Sequence, residues 1–537
     1  MTIKNHVSRY VAAFSAGLIL STSCAAIAAD LPDLHSVQML TRGNGGEPES
    51  LDPALAQSVG ASNVMRDLFE GLTSIAADGK LMPGMASSWE RTDPTTWLFT
   101  LREARWSNGD PVTAEDFVFA WRRLFDPTTA AIYASTFQPL VLNASAVLKG
   151  ERPPETLGVR ALSPTLLEVR TAHPTPFFDE VLAHAAFFPV HRATVQSHGA
   201  HWTRPGNLVG NGAFTLSEWH VNDRIILEKN PAYWDATNVH LTRVNYLAVE
   251  DPAAEIKLYL SGETDFTNSL PAGSYRQHEK ARPDELHNSL TLGLRYYSLN
   301  NEDPLLKDRR VRQALSMVID RDILTGRILA DGQPLAYGVL VDGISGADNV
   351  PYDWTEWPMK KRVETAQALL SQAGVAVGTR LSIAYNTSDY HKKMALFVAS
   401  EWKTKLGLDT VLENMEFRVL LKRRNAGQYQ VARDGWVADF TDATSMFTIV
   451  RCHAEQNSNR SCNPEAESLI EQAENSGDDE QRHALLTRAA GLIMQDYPMI
   501  PISQFTHPRL IKPYVGGYDD GNPLERYRSR DLYIVKH

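Results

Sequence analysis

Two apolar periods alternate along this chain, every second residue in some segments and three-to-four-residue spacing in others. The clearest unit is "WLFTLREARWSNGDPVTAEDFVFAWRRLF". Leu98 and Thr100 alternate with their neighbours as a strand requires. Asn108-Gly109 supplies a tight turn, and Thr113 caps a helix with Asp116 as a short-armed capping-box partner. Phe117, Trp121, Leu124 and Phe125 share one face of that helix, a stripe assigned to core. A second helix is predicted over "LKDRRVRQALSMVIDRDILTGRIL", with Val311, Ala314, Leu315, Val318, Ile319 and Ile323 apolar and its Arg and Asp residues mainly toward water. A third, "EWPMKKRVETAQALLSQAG", ends at Gly374. "RLSIAYNTSDYHKKMALFVASEWKTKLGLDTVLENMEF" then reads strand, loop, helix, strand, a unit of two-layer α/β ligand-binding lobes.

The segment that follows, "VARDGWVADF", breaks the pattern by placing Arg433, Asp434 and Asp439 in a strand-forming, apolar stretch. If Val431–Phe440 is extended, Val431, Arg433, Gly435, Val437 and Asp439 share one face. Arg433 and Asp439 are then about 20 Å apart at their α-carbons, a span for a short extended peptide. Gly435 between them leaves room for another backbone. Opposite charges at the two ends match a free peptide's ammonium and carboxylate. The alternative is that both charges pair inside the protein, and the residues alone do not decide. Arg424 and His391 could add positive potential for a carboxylate.

Composition then narrows the classes. With 537 residues, 43% hydrophobic, the chain can bury a large core and divide into two to four domains. A net charge of -11 without a basic stripe argues against nucleic acid. At the N-terminus, Lys4 and Arg9 precede an apolar run from Tyr10 to Leu20 and the small residues of "AAIAAD", a secretory signal peptide cleaved after Ala28, with Ala29 next best. The run is short for a membrane anchor, and "LSTSC" places Leu20 one residue too far from Cys24 for a good lipoprotein signal. Cleavage would leave 51 basic and 64 acidic residues, a net -13, outside the cytoplasm. There Cys452 and Cys462 are read as a local disulfide, since His453 alone is too few ligands for zinc. No G-x-S-x-G elbow, H-E-x-x-H pair, P-loop or G-x-G-x-x-G run is present, and "HEKAR" lacks its second His. No metal or cofactor is expected.

Taken in order, "ESLDPALAQSVGASNVMRDLFEGL", "PGMASSWE", "WSNGDPVTAEDFVFAWRR", "PGNLVGNGAFTL", "RRVRQALSMVIDRDIL", "AYNTSDYHKK", "VARDGWVADF" and "RLIKPYVGGY" resemble the periplasmic oligopeptide-binding proteins and the murein-peptide-binding branch beside them. These are receptors of ATP-binding-cassette importers. The resemblance implies a two-lobed, three-domain α/β periplasmic binding protein, with mixed sheets and a hinged ligand cleft. Domain I would comprise 29–69, 193–292 and 507–537, domain II 70–192, and domain III, the second lobe, 293–506. Asp439 would take the peptide ammonium, and Arg433, Arg424 and His391 its carboxylates, according to length. Gly435, Val437 and Val59 would pair with its backbone, and Trp436, Phe417, Tyr133, Tyr296 and Phe505 would line side-chain pockets. Gln57 stands where Glu is frequent, Phe417 where Trp is frequent, and Gly293 and Val437 where some relatives have a disulfide.

The expected function is a non-enzymatic periplasmic receptor for short peptides, monomeric, serving inner-membrane permease subunits and not nucleic acid. Murein peptides are the alternative cargo. A secreted peptidase is the competitor from another class, and nickel, haem or glutathione are other cargoes of the same fold.

Overall fold

The computed structural model describes residues 33–271, 273–454 and 456–537. The signal-peptide segment and Cys24 lie outside the described residues. The molecule is two-lobed and mixed α/β. Its larger core runs from Leu40 to Phe266 and is completed by Ile511, Val515, Leu532 and Ile534 from the end of the chain. The other core runs from Leu292 to Ile502.

The first lobe carries two four-stranded sheets. One orders its strands as Met39–Gly43, Arg243–Leu247, Arg224–Lys229 and Phe214–His220; the other as Ala86–Asp93, Thr96–Leu101, Leu166–Arg170 and Val159–Ser163. Against the latter lies helix Ala114–Phe125. Asp116 accepts from the Thr113 N–H at 2.8 Å, so the cap forms as expected, and Phe117, Trp121, Leu124 and Phe125 are all buried.

The second lobe is built on a five-stranded sheet, ordered Asp409–Met415, Arg380–Asn386, Val431–Val437, Leu286–Leu299 and Met499–Leu510. The strand–helix–strand reading holds, with helix Asp389–Leu406 between the first two in sequence. The last two strands connect the lobes. They pair from Leu286 with Leu510, beside the first lobe, to Ser298 with Met499 in the second, and their register shifts between Leu290 and Leu294. An irregular ladder bends more easily than a regular one, which suits the crossing point between two cores. The lobes also touch directly, through Arg91 to Asp479 at 2.9 Å and through Phe177 stacked on Phe440 at 4.9 Å.

The helix predicted from the run at residues 306–329 is broken. Its first part spans Arg309–Met317; Asp320 then caps a new turn by accepting from the Ile323 N–H at 3.0 Å, and a wider turn covers Leu324–Leu329. The expected wet face is also partly dry, because Arg312 and Arg321 are buried. Arg312 gathers the carbonyls of Leu306, Lys307, Asp496 and Tyr497; Arg321 binds those of Ser316 and Pro501 and lies 4.6 Å from the Tyr337 ring. Guanidinium groups are buried here because main-chain acceptors replace water.

Cys452 and Cys462 are joined, closing a loop of sequence separation 10. Replacing both with serine is expected to cost about 2–3 kcal/mol through the larger entropy of the unfolded chain, read as a lower urea midpoint at unchanged slope. An unchanged midpoint would mean that other contacts close the loop.

Candidate functional site

The charged strand is flanked unequally. On one side all seven residues pair with the Leu286–Leu299 strand, from Val431 with Leu299 to Val437 with Gly293. On the other, only Val431 and Ala432 pair, with Ile383 and Ala384. The Arg380–Asn386 strand then turns away into its helix, and Arg433–Val437 keeps an edge that pairs with no other strand, although the Gly435 N–H on it is donated to Asp434 Oδ1. A free edge is a template for an added extended chain.

Alternation places Arg433, Gly435 and Val437 on one face and Asp434 and Trp436 on the other. Directly paired residues share a face, so Tyr297, Arg295 and Gly293 join the first group. Phe505 lies across it. A Cβ on Gly293 would sit 2.2 Å from its Cδ2, and one on Gly435 2.9 Å from its Cζ. Gly435 therefore makes room for this ring, a nearer reason for glycine than the passing backbone expected above.

The three charges of the segment have three different environments. Asp434 is satisfied internally: its carboxylate pairs with Arg424 and accepts from the Gly435 N–H at 2.8 Å and Ser458 Oγ at 3.1 Å. Arg433 makes no ion pair among the described residues, and its buried Nε has no hydrogen-bond partner. Burial lowers its pKa, and the neighbouring Arg295 adds to that. The same two forces act on His391: burial first, then Arg433 and Arg295, push its imidazole down to about 3, and its Nδ1 is also unpartnered.

Asp439 lies beyond the strand, which ends at Val437 and not at Phe440 as predicted. Ala438 still donates to the Leu292 carbonyl at 2.7 Å, but the Asp439 N–H turns to Ser445 Oγ at 2.9 Å as the chain enters the Asp442-capped helix. Side-chain alternation therefore does not orient Asp439. Its carboxyl is held above the usual carboxylate range by surrounding protein, with Arg526 acting in the opposite direction. Arg526 reaches its carbonyl oxygen at 3.4 Å, and no ion pair joins the two side chains.

Two adjoining cavities between the lobes, of about 660 and 290 Å³, share Asp439. Trp436 lines the larger, its indole N–H on the Ser445 carbonyl at 2.9 Å. Gln57, Val59, Tyr133 and Val437 line the smaller, so residues predicted from opposite lobes do meet there. Val59 is 66% exposed in the first turn of helix Val59–Leu68, which Ser58 caps. The nearby Glu49 accepts from the main chain of Gln57 and Ser58, bringing a carboxylate to the rim where Gln57 itself has none. The Tyr133 ring lies tilted against His184, with centroids 4.5 Å apart. Phe417 is 45% exposed at the start of helix Phe417–Asn425, and Tyr296 is buried against Asp434; neither lines these cavities.

Sequence reasoning passed over three cations in this region. Arg66 and Arg526 line the smaller cavity, and Arg295 lies opposite Gly435. Arg295 carried a readable signal, since "LGLRYYSL" is an apolar strand interrupted by one charge. Among the described residues, no helix is long and apolar enough to cross a membrane.

Comparison with known proteins identifies relatives of the chain in sequence and fold. The family model for bacterial extracellular solute-binding proteins, family 5, middle region, matches residues 80–458. The periplasmic oligopeptide-binding protein OppA of Escherichia coli (strain K12) is 40% identical over 520 residues, covering 95% of this chain and 96% of that protein. The structure of Burkholderia pseudomallei OppA is 46% identical, with a TM-score of 0.76, covering 94% of this chain and 100% of that one. The unliganded open form of the periplasmic murein tripeptide binding protein MppA is 38% identical, with a TM-score of 0.86 over 94% of this chain and 99% of that one. In sequence along nearly its whole length, and in fold, the chain belongs to the family 5 bacterial extracellular solute-binding proteins.

Proposed function

We propose that this protein is the periplasmic receptor of an ATP-binding-cassette importer and encloses peptides of about two to five residues as an added strand. The observation that carries the reading is the free edge Arg433–Val437, with an unpaired guanidinium at one end and a cleft-facing carboxylate, Asp439, just beyond the other. A peptide lying along it gives its main-chain groups to the edge, its ammonium to Asp439 and its carboxylate to Arg433 and His391. Arg424 receives a carboxylate only by releasing Asp434. Main-chain pairing is indifferent to side chains, and the roomy larger cavity can hold water around them.

The names of the relatives support this cargo: one binds oligopeptides, another a murein tripeptide. Superposition is better on the open MppA form than on the more similar OppA sequence, which fits lobes that touch at Arg91–Asp479 and Phe177–Phe440 without full closure. Closure would carry Gln57, Val59 and Tyr133 over the strand. The proposed hinge lies near 292/293 and 506/507, dividing domain III from domain I (29–69, 193–292 and 507–537) and domain II (70–192). Maturation after Ala28, a monomeric state and the absence of catalysis complete the reading. Murein peptides are the second reading, favoured by MppA and by Gly293 and Val437 standing where a disulfide is found in some relatives.

Asp439→Asn is expected to weaken trialanine binding by about 1.5–3 kcal/mol in calorimetry, the scale of a charge-assisted hydrogen bond, and acetylating the peptide amine should do comparable harm. Unchanged affinity in both cases rejects the ammonium site. Trialanine recovered as fragments would instead indicate a peptidase.

The empty site has its own pH signature. His391 binds its proton more weakly folded, at about 3, than unfolded, so its contribution to stability is lost as pH falls from about 6.5 toward 3. Arg433, Arg295 and Tyr390 face it and stay in one charge state across that window. His391→Gln should therefore lose less stability than the parent chain between pH 7 and 4, measured by urea midpoints; parallel losses would mean that the imidazole is freely solvated.

A further inference from the structure

Arg295 is a buried cation without a counter-ion. It is 8% exposed and makes no ion pair among the described residues. Its guanidinium is held between two rings, 4.5 Å from the centre of Tyr390 and 4.6 Å from that of Phe505. Among the described residues its guanidinium makes one hydrogen bond, from Nε to Gln333 Oε1 at 3.3 Å, and that oxygen already accepts from Ser503 Oγ at 2.7 Å. Aromatic faces hold a guanidinium in place and keep it charged, but they do not satisfy its N–H groups. Around it, Arg433 Nε, His391 Nδ1 and the Tyr297 hydroxyl are buried and unpartnered. One such atom is unremarkable; three gathered around a guanidinium that has a single hydrogen bond among the described residues call for an acceptor.

The surrounding charges limit what that acceptor is. Arg424 and Asp434 cancel as a pair. Asp331 is the other carboxylate acting on Arg295; it accepts from the Tyr390 hydroxyl at 2.8 Å and is not ion-paired with the guanidinium. Arg295 and Arg433 therefore face one fixed anion between them. A terminal carboxylate balances the remainder, and His391, neutral in the empty site, can balance a second carboxylate by regaining its proton. Spacing agrees: Gly435, opposite Arg295, lies two residues from Arg433, about 7 Å along the strand, which is the reach from a peptide's terminal carboxylate to the side group of the residue before it.

We propose that Arg295 is a specificity-determining residue that binds a second ligand carboxylate beside the one held by Arg433, so that the preferred cargo is a short peptide acidic near its C-terminus. This rests on the peptide reading given above. Two sources carry this chemistry: an Asp or Glu side chain in an ordinary peptide, and a γ-linked glutamyl residue, whose α-carboxylate stays free.

The test is calorimetry of the mature protein with Ala-Glu-Ala and Ala-Gln-Ala, with trialanine as reference. The wild-type protein should prefer the Glu peptide by at least about tenfold, and the preference should fall toward unity in Arg295→Gln and be partly kept in Arg295→Lys. A wild-type protein that binds the Gln peptide equally well overturns the proposal without any variant having to fold. A preference that survives in Arg295→Gln overturns the assignment to this residue. Trialanine binding with no Glu preference sinks the second-carboxylate site alone, whereas failure of all three peptides sinks the peptide reading with it. Comparing Ala-γ-Glu-Lys with its α-linked isomer then separates the two sources.

Discussion

A charge removed from water needs an opposite charge or a full set of hydrogen bonds, and the second lobe meets that requirement for some groups and not for others. Arg312 and Arg321 are buried with main-chain carbonyls, and Asp434 with Arg424, Ser458 and the Gly435 N–H. Among the described residues, Arg433, whose Nε has no partner, and Arg295, whose guanidinium has one hydrogen bond, lack such a set on one face of the same sheet. The contrast separates charges satisfied within the fold from charges that are not, although all of them are arginines and aspartates in apolar surroundings. It also makes the empty receptor the less favoured state at this spot: a ligand that supplies the missing anions relieves a cost already present in the folded protein, and so stabilises it in proportion to its binding.

The free edge depends on a second arrangement, the divergence of two strands. Val431 and Ala432 anchor the charged strand in the sheet, and the departure of the Arg380–Asn386 strand into helix Asp389–Leu406 exposes the next five residues on one side while bringing Tyr390 and His391 to that opening. Phe505 occupies the face that Gly293 and Gly435 leave clear, supporting Arg295 from beneath. Edge, ring and cation are therefore set by the packing of one sheet, and the first lobe adds only what comes over them. The charged groups are thus placed by one lobe, and Gln57, Val59 and Tyr133 come to the cleft from the other.

How much of this was readable from the residues follows from how local each cause is. The helix at Ala114–Phe125, with its Thr113 and Asp116 cap, and the strand–helix–strand unit from Arg380 to Met415 depend on neighbours a few positions away, and the periodicity exposes them. The break at Asp320 was also local, but the continuing apolar stripe hid it. The burial of Arg312 was invisible, since Asp496 and Tyr497, which supply two of its four carbonyl acceptors, are 184 and 185 residues distant. The charged strand was legible as an anomaly, but its end at Val437 depends on Ser445, and the role of Arg295 depends on a cross-strand register that no spacing within its own segment reveals. Asp434, the charge least distinguished in the sequence, proved to be the one the protein neutralises itself.

The two ends of the strand do not attract in the same way. At Arg433 the excess is positive and long-ranged: two guanidiniums, one held rigidly by aromatic rings, face a single fixed carboxylate. At Asp439 the field is mixed, because Arg526 reaches the residue's own carbonyl and Arg66 lines the same cavity. Burial together with Asp179 and Asp442 pushes the nearby Glu180 carboxyl up to about 7, which weakens it as a partner for Arg526. On the proposed reading, an ammonium would therefore not be drawn to that end by net potential and would depend on short directed bonds to Asp439. The same charges would favour capture of the carboxylate end first and seating of the amine second, even though the chain as a whole is acidic at -11.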